Sequence, residues 1–234
     1  MPEPTPEAIY PARTPVRVLV VDDQPLERTG IALILDSDDH ISVVGEAGNG
    51  LEALAAVSAQ HPDVVLMDMR MPIMDGIEAT RIIAERYPDT RVIALTTFDL
   101  DEYAFGSLQA GASAFLLKST KPAALVDAVQ TVASGSAVAA PRLTARLIEH
   151  YLAPTRAPAT ASTDPSLLEL LSPRERDVFI GIVRGLSNAE LSAELVLAQS
   201  TIKSHVNAIF TKLGVRDRVH AVILGYELGL VPGR

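Results

Sequence analysis

Between residues 16 and 134 the chain alternates short apolar runs with amphipathic stretches. The runs are VRVLVVD (16–22), ISVVGEA (41–47), VVLMD (64–68), RVIALT (91–96) and AFLLK (114–118). All but the second are nearly continuous in apolar residues, as expected for strands covered on both faces. Helical stretches are expected over 25–36, 50–60, 76–87, 101–110 and about 122–134, the last with Leu125, Val129 and Val132 on one face. Five strands alternating with five helices predict an open, doubly wound α/β fold with a parallel sheet.

The pattern breaks at APTRAPATASTDP (153–165), which lacks periodicity and is expected to be a flexible linker. Before it, PRLTARLIEHYL (141–152) has the pattern of one connecting helix. After it, short helices are expected over about 173–184, 188–195, 200–213 and 217–228, an all-α unit. The predicted division is a disordered tail (1–15), an α/β domain (16–136), a connecting helix and linker (137–166) and a helical domain (167–234). The net charge of −9 is unevenly spread: residues 1–140 carry 9 Lys+Arg against 20 Asp+Glu, and residues 164–234 carry 8 of each. An acidic first domain suits a cation better than nucleic acid, and any nucleic-acid surface in the second depends on charge placement. The chain has no cysteine, which excludes disulfides and thiolate metal sites. The proline-rich start lacks the features of a secretory signal, and no apolar run approaches the ~18 residues of a membrane helix. The expectation is a cytoplasmic protein without membrane contact.

Why should a buried strand end on a carboxylate? Asp22 ends the first apolar run, Asp23 follows it and Asp68 ends the third. In open α/β sheets the ligand crevice lies beyond the carboxyl ends of the strands. Three converging carboxylates repel one another unless a cation intervenes, and Mg²⁺ with oxygen ligands meets that need. The fourth and fifth runs end in Thr96, a hydroxyl donor, and Lys118, a cation. Around one point these groups would stabilise a phosphoryl group carried by Asp68. A single strand-end Asp is more often a turn or cap residue, and Asp23 could simply cap the helix at Pro25. Five polar groups at the same end of several strands favour a site. Asp75 and Gly76 are explained as turn and helix-start residues.

The motifs VLVVDDQPLERTG (18–30), VVLMDMRMPIMDGIEAT (64–80), VIALTTFDLDEYAF (92–105) and AGASAFLLKS (110–119) resemble the receiver domain of two-component response regulators. The resemblance implies a flavodoxin-like five-stranded sheet in the order 2-1-3-4-5 and Asp68 as phospho-acceptor. It implies Mg²⁺ held by Asp22, Asp23, Asp68 and the Met69 carbonyl. Thr96 then matches the switch hydroxyl, Lys118 the phosphate-binding lysine and Phe115 the switch aromatic, which would move inward. Ala114 stands where a glycine is common, and Arg70 and Phe98 occupy positions that tune phosphoryl lifetime.

In the second domain Ser172, Pro173 and Glu175 form a helix start with a capping box, and Ser187 or Asn188 caps the next helix. In STIKSHVNAIFTKLG (200–214), Ile202, Val206, Ile209 and Leu213 share one face, and Lys203, Ser204, Asn207 and Thr211 lie opposite. A short helix, a tight turn and a longer helix with a polar outer face describe a helix-turn-helix. Residues 171–231 resemble the LuxR-type DNA-binding domain of the NarL/FixJ class. That implies contacts to double-stranded DNA by Lys203, Ser204 and Asn207, with Thr201 near the backbone. Lys212, Arg216 and Arg218 are further candidates for phosphate or for ordinary solvation. His205 belongs to helix packing. A neutral domain should bind DNA weakly alone and gain from pairing.

The reading is a transcriptional regulator, not an enzyme, switched by phosphoryl transfer from a sensor histidine kinase and forming a homodimer when phosphorylated. A phosphotransferring enzyme of the haloacid-dehalogenase type would need an acid two residues after the nucleophile, where Arg70 stands. A nucleotide-binding module would need a glycine-rich turn where Asp-Asp-Gln-Pro stands. A receiver that works without phosphorylation fits poorly with the complete acidic set.

Overall fold

The computed structural model describes residues 14–96, 102–134 and 165–230. The first unit runs β1 (Val16–Val21), α1 (Pro25–Asp36), β2 (Ile41–Ala47), α2 (Gly50–Gln60), β3 (Val64–Asp68), α3 (Gly76–Arg86), β4 (Arg91–Thr96), α4 (Glu102–Gln109), β5 (Ala114–Leu117) and α5 (Pro122–Ala133). The strands form one parallel sheet in the order β2-β1-β3-β4-β5. That is the expected order.

Alternation along the strands sorts the core into two layers. Val18, Val20, Leu66, Ile93 and Leu95 join Leu35 of α1 and Leu125 and Val129 of α5. Leu19, Val21, Val65, Met67, Val92 and Ala94 face the other way and join Val57 of α2, Ile83 of α3 and Leu108 of α4. Both faces are covered, so the strand runs are apolar throughout.

Register then places the strand-end acids. Val21 pairs with Met67, so Asp22 and Asp68 leave neighbouring strands side by side. Thr96 pairs with Leu117, one residue before Lys118. Gly76 lets the start of α3 press against this edge. A Cβ there would lie 2.1 Å from the Asp68 carbonyl oxygen and 2.8 Å from the Met69 Cα.

The second unit opens with a 3-10 helix (Pro165–Leu170), partly within the stretch expected to be linker. Then come α6 (Pro173–Val183), α7 (Asn188–Leu195), α8 (Gln199–Leu213) and α9 (Arg218–Glu227). Capping boxes close the starts of α6 (Ser172 with Glu175) and α7 (Ser187 with Glu190), which assigns the second cap to Ser187. Phe179, Ile182, Ile202, Ile209 and Val222 are buried in its core. Residues 1–13 of the expected tail and the connecting helix over 141–152 lie outside the described residues, as does Phe98. Among the described residues, no helix is long and apolar enough to cross a membrane.

Candidate functional site

Beyond the carboxyl ends of β1 and β3, one oxygen each from Asp22, Asp23 and Asp68 lies within 4.8 Å of the others. Asp22 and Asp68 are buried and Asp23 is exposed, so the cluster opens to solvent on one side. Asp23 is not a helix cap. The N-cap residue of α1 is Gln24, whose side chain makes no capping bond, and the Gln24 amide donates to Asp22 Oδ1 at 2.8 Å. The Arg28 guanidinium donates to the Asp22 carbonyl at 2.6 Å and pairs with Glu46 at 3.0 Å, which fixes the turn. Three hard oxygen donors from strand ends suit a divalent cation. The Met69 carbonyl adjoins them and accepts the Gly76 amide at 3.1 Å, leaving its second lone pair for a further partner.

Lys118 reaches back across the sheet edge. Its Nζ donates to Asp22 Oδ2 at 2.7 Å, Asp68 Oδ2 at 2.9 Å and Glu27 Oε2 at 2.9 Å. Burial would lower its pKa, but the hydrogen bonds to these carboxylates outweigh it and the pKa is raised. The ammonium is therefore a fixed cation. The Asp68 pKa is raised as well, by burial, despite the hydrogen bonds from Lys118 and the Arg70 amide. Glu27 was missed in the sequence. Its signal was position, since it lies in the first turn of α1, four residues after Asp23.

Thr96 is buried at the end of β4, and its carbonyl accepts the Lys118 amide at 2.8 Å. Phe115 is already buried, 8% exposed, and shares a core cluster with Leu108 and Ala112. That is a buried position of the expected switch aromatic. Asp75 caps α3 by accepting the Glu78 amide, and so plays the local role expected of it.

In the helical unit, Thr201, Lys203, Ser204, Asn207 and Thr211 lie exposed along one face of α8. Opposite them Ile202, Val206, Ile209 and Leu213 are buried. The other basic candidates are engaged within the protein. Lys212 Nζ donates to Glu175 Oε2 at 2.6 Å, and this bond, with those from Ser172, brings the Glu175 carboxyl down to about 2. Arg218 is buried and donates to Asn188 and to the Leu186 carbonyl, holding the start of α7. Burial lowers its pKa to about 10.

Arg216 contacts the first unit. Its guanidinium donates to the Gly111 carbonyl and lies 3.5 Å from Ser113 Oγ, between α4 and β5. Asp217 lies 3.9 Å from Arg91 at the start of β4. Burial would raise the Asp217 pKa, but His220, bonded at 2.7 Å, and Ser113 bring it to about 2. Asn207, Thr211 and Arg91 border one cleft of about 400 Å³. The docked unit thus brings its polar helix face beside the amino end of the sheet.

A parallel α/β unit with an acid cluster and lysine at its strand ends, joined to a helix-turn-helix, defines a response regulator. Residues 18–130 match the response regulator receiver domain, and residues 169–224 match the bacterial regulatory proteins of the luxR family. The transcriptional regulatory protein YxjL of Bacillus subtilis is 36% identical over 217 residues, 92% of this chain and 97% of that protein. The response regulator VraR of Staphylococcus aureus is 35% identical over 92% of this chain and 99% of its own length. The crystal structure of response regulator ChrA, from a heme-sensing two-component system, aligns with a TM-score of 0.50 at 34% identity, covering 94% of this chain and 100% of that one. The chain belongs to the LuxR-type response regulators. It is a regulator with a receiver domain and a LuxR-type DNA-binding domain.

Proposed function

We propose that Asp68 is the phospho-acceptor of a cytoplasmic transcription factor controlled by a sensor histidine kinase. One observation carries this reading: the Asp68 carboxylate is buried at a strand end, 2.9 Å from Lys118 Nζ and within 4.8 Å of two further acids. An Asp68 oxygen forms a bond to phosphorus as the donor's phosphorus–nitrogen bond breaks, and the electron pair leaves with the histidine nitrogen. Lys118 holds a proton-bearing cation beside the transferred group and neutralises charge as it builds. Asp22, Asp23, Asp68 and the Met69 carbonyl would hold Mg²⁺, which screens the acids from the incoming phosphoryl oxygens. Thr96 donates its hydroxyl to the new group, and the Phe115 ring moves further inward behind it.

The output follows from where the second unit sits. Gly111 and Ser113 belong to the α4–β5 connection and hold Arg216. A change at Thr96 and β5 therefore acts on a junction at the far end of the same strands. Release of that junction clears the first unit from beside Asn207 and Thr211, so that the whole exposed α8 face can meet double-stranded DNA at promoter sites. Lys203, Ser204 and Asn207 then face the major groove, with Thr201 at the backbone. Lys212 contacts phosphate only once it leaves Glu175. Homodimerisation on phosphorylation adds the energies of two weak half-site contacts. The functional boundaries proposed are 16–136 for the receiver and 167–234 for the DNA-binding domain.

The test incubates the full chain and Asp68→Asn with Mg²⁺ and a small phosphodonor. Labelling is scored by phosphate-affinity gel shift and size by chromatography. The reading expects a Mg²⁺-dependent adduct that Asp68→Asn lacks. An equal adduct on Asp68→Asn, or none even with a histidine kinase, overturns it.

A further inference from the structure

A lysine ammonium has three protons to donate. In this protein Asp22, Asp68 and Glu27 accept from Lys118, each at 2.7 to 2.9 Å. A phosphoryl oxygen arriving at Asp68 gains a hydrogen bond from Lys118 only by displacing one of the three. Their burial differs sharply: the Asp22 side chain is 0% exposed, that of Asp68 7% and that of Glu27 43%. Losing Lys118 would strand Asp22 in the interior, whereas Glu27 can return to water at little cost. Glu27 is therefore the arm that gives way.

Glu27 also sets the charge of the entrance. Asp22, Asp23, Glu27 and Asp68 against Lys118 leave three negative charges in excess. A divalent cation on the aspartates reduces that excess to one, and the remaining charge is the one Glu27 contributes. Arg28, its neighbour in sequence, is committed to Glu46 and the Asp22 carbonyl.

We propose that Glu27 gates Lys118 and selects phosphodonors by charge: it holds the ammonium in the unmodified protein and disfavours donors in proportion to their negative charge. This rests on Asp68 being the acceptor. Glu27 touches no reacting atom and acts as a positioning residue.

One unit charge ~6 Å away changes a rate by about threefold per unit of donor charge at the dielectric constant of water. Replacing Glu27→Gln should then speed labelling about threefold with a phosphoramidate monoanion and about tenfold with an acyl-phosphate dianion. Raising ionic strength from about 0.05 M to about 0.5 M should erase most of both gains. Glu27→Asp keeps the charge and should keep the wild-type preference between donors. Mg²⁺ affinity, read by titration calorimetry without any phosphodonor, should fall by no more than about tenfold, the effect of one removed charge on a dication at that distance. Equal gains with both donors, or gains indifferent to salt, overturn the charge selection. A loss of about a hundredfold or more, beyond that charge effect, would make Glu27 a metal ligand instead. A wild-type chain that labels, with Glu27→Gln labelling at the same rates, refutes only the role of Glu27. A wild-type chain that takes no label from either donor or from a histidine kinase refutes the Asp68 reading and this inference together.

Discussion

Strands β4 and β5 carry a charge cluster near each end, and the two are built on opposite terms. At the carboxyl end four acids surround one lysine, whose three hydrogen bonds are all short. That cluster is paired as tightly as its one cation allows and remains anionic and open. At the amino end Arg91, Arg216 and Asp217 meet between the two units at 3.5 to 3.9 Å. There Arg91 Nη1, Arg216 Nε and Nη1, and Asp217 Oδ2 are buried without a hydrogen-bond partner among the described residues. The first cluster is short of positive charge, so a cation and a phosphoryl transfer change it. In the second, Arg216 bonds Gly111 and Asp217 bonds His220, but the pairs joining Arg91, Arg216 and Asp217 are long and desolvated, so those pairs add little net stability. An open anionic site joined by strands roughly 17 Å long to a weakly held junction suits a switch, because a small bias at one end can open the other.

The largest expected effect tests how closely the carboxyl end is assembled. Gly76→Ala puts a methyl group into the Asp68 and Met69 backbone. It should lower stability by about 3 kcal/mol in chemical denaturation, despite the better helix propensity of alanine. An unchanged midpoint would show that α3 shifts freely and that the site is looser than the contacts suggest.

The next prediction separates the helical unit by pH. Glu175 and Asp217 have carboxyls held down to about 2, from 4.5 and 3.8. Their folded values lie below the unfolded ones, so the stability they contribute is fully present above about 4.5 and is lost as pH falls toward 2. The urea midpoint should therefore drop through this window, and Glu175→Gln should flatten the drop. A midpoint independent of pH between 5 and 2.5 would contradict both pairings.

A smaller effect addresses the junction. Arg216→Ala removes the contacts to Gly111 and Ser113 along with an incompletely satisfied guanidinium. It should cost less than about 1 kcal/mol of stability, since the lost bonds and the relieved burial offset each other. The radius of gyration from small-angle scattering should rise as the units separate. A compact variant would mean that other contacts hold them. The smallest effect returns to the rim of the site. Ile73 is 78% exposed and sits at φ 73°, a left-handed conformation that a β-branched residue disfavours. Ile73→Gly should raise the midpoint modestly, by about 1 kcal/mol or less.

The sheet, the placing of Asp22, Asp23, Asp68 and Lys118 at its strand ends, and the capping box at Ser172 were legible in the residues alone. Each rests on local pattern: a two-residue alternation, an apolar run that stops, a serine three residues before a glutamate. What the long charged side chains do follows instead from how distant elements pack. Lys118 joins acids from β1, β3 and α1, Lys212 turns back to Glu175, and Arg218 is buried against α7. Arg216, a candidate phosphate contact by charge alone, instead reaches the loop between α4 and β5. A flexible side chain with several rotatable bonds takes its partner from whatever the packing of distant elements brings within reach, and one-dimensional spacing does not encode that distance.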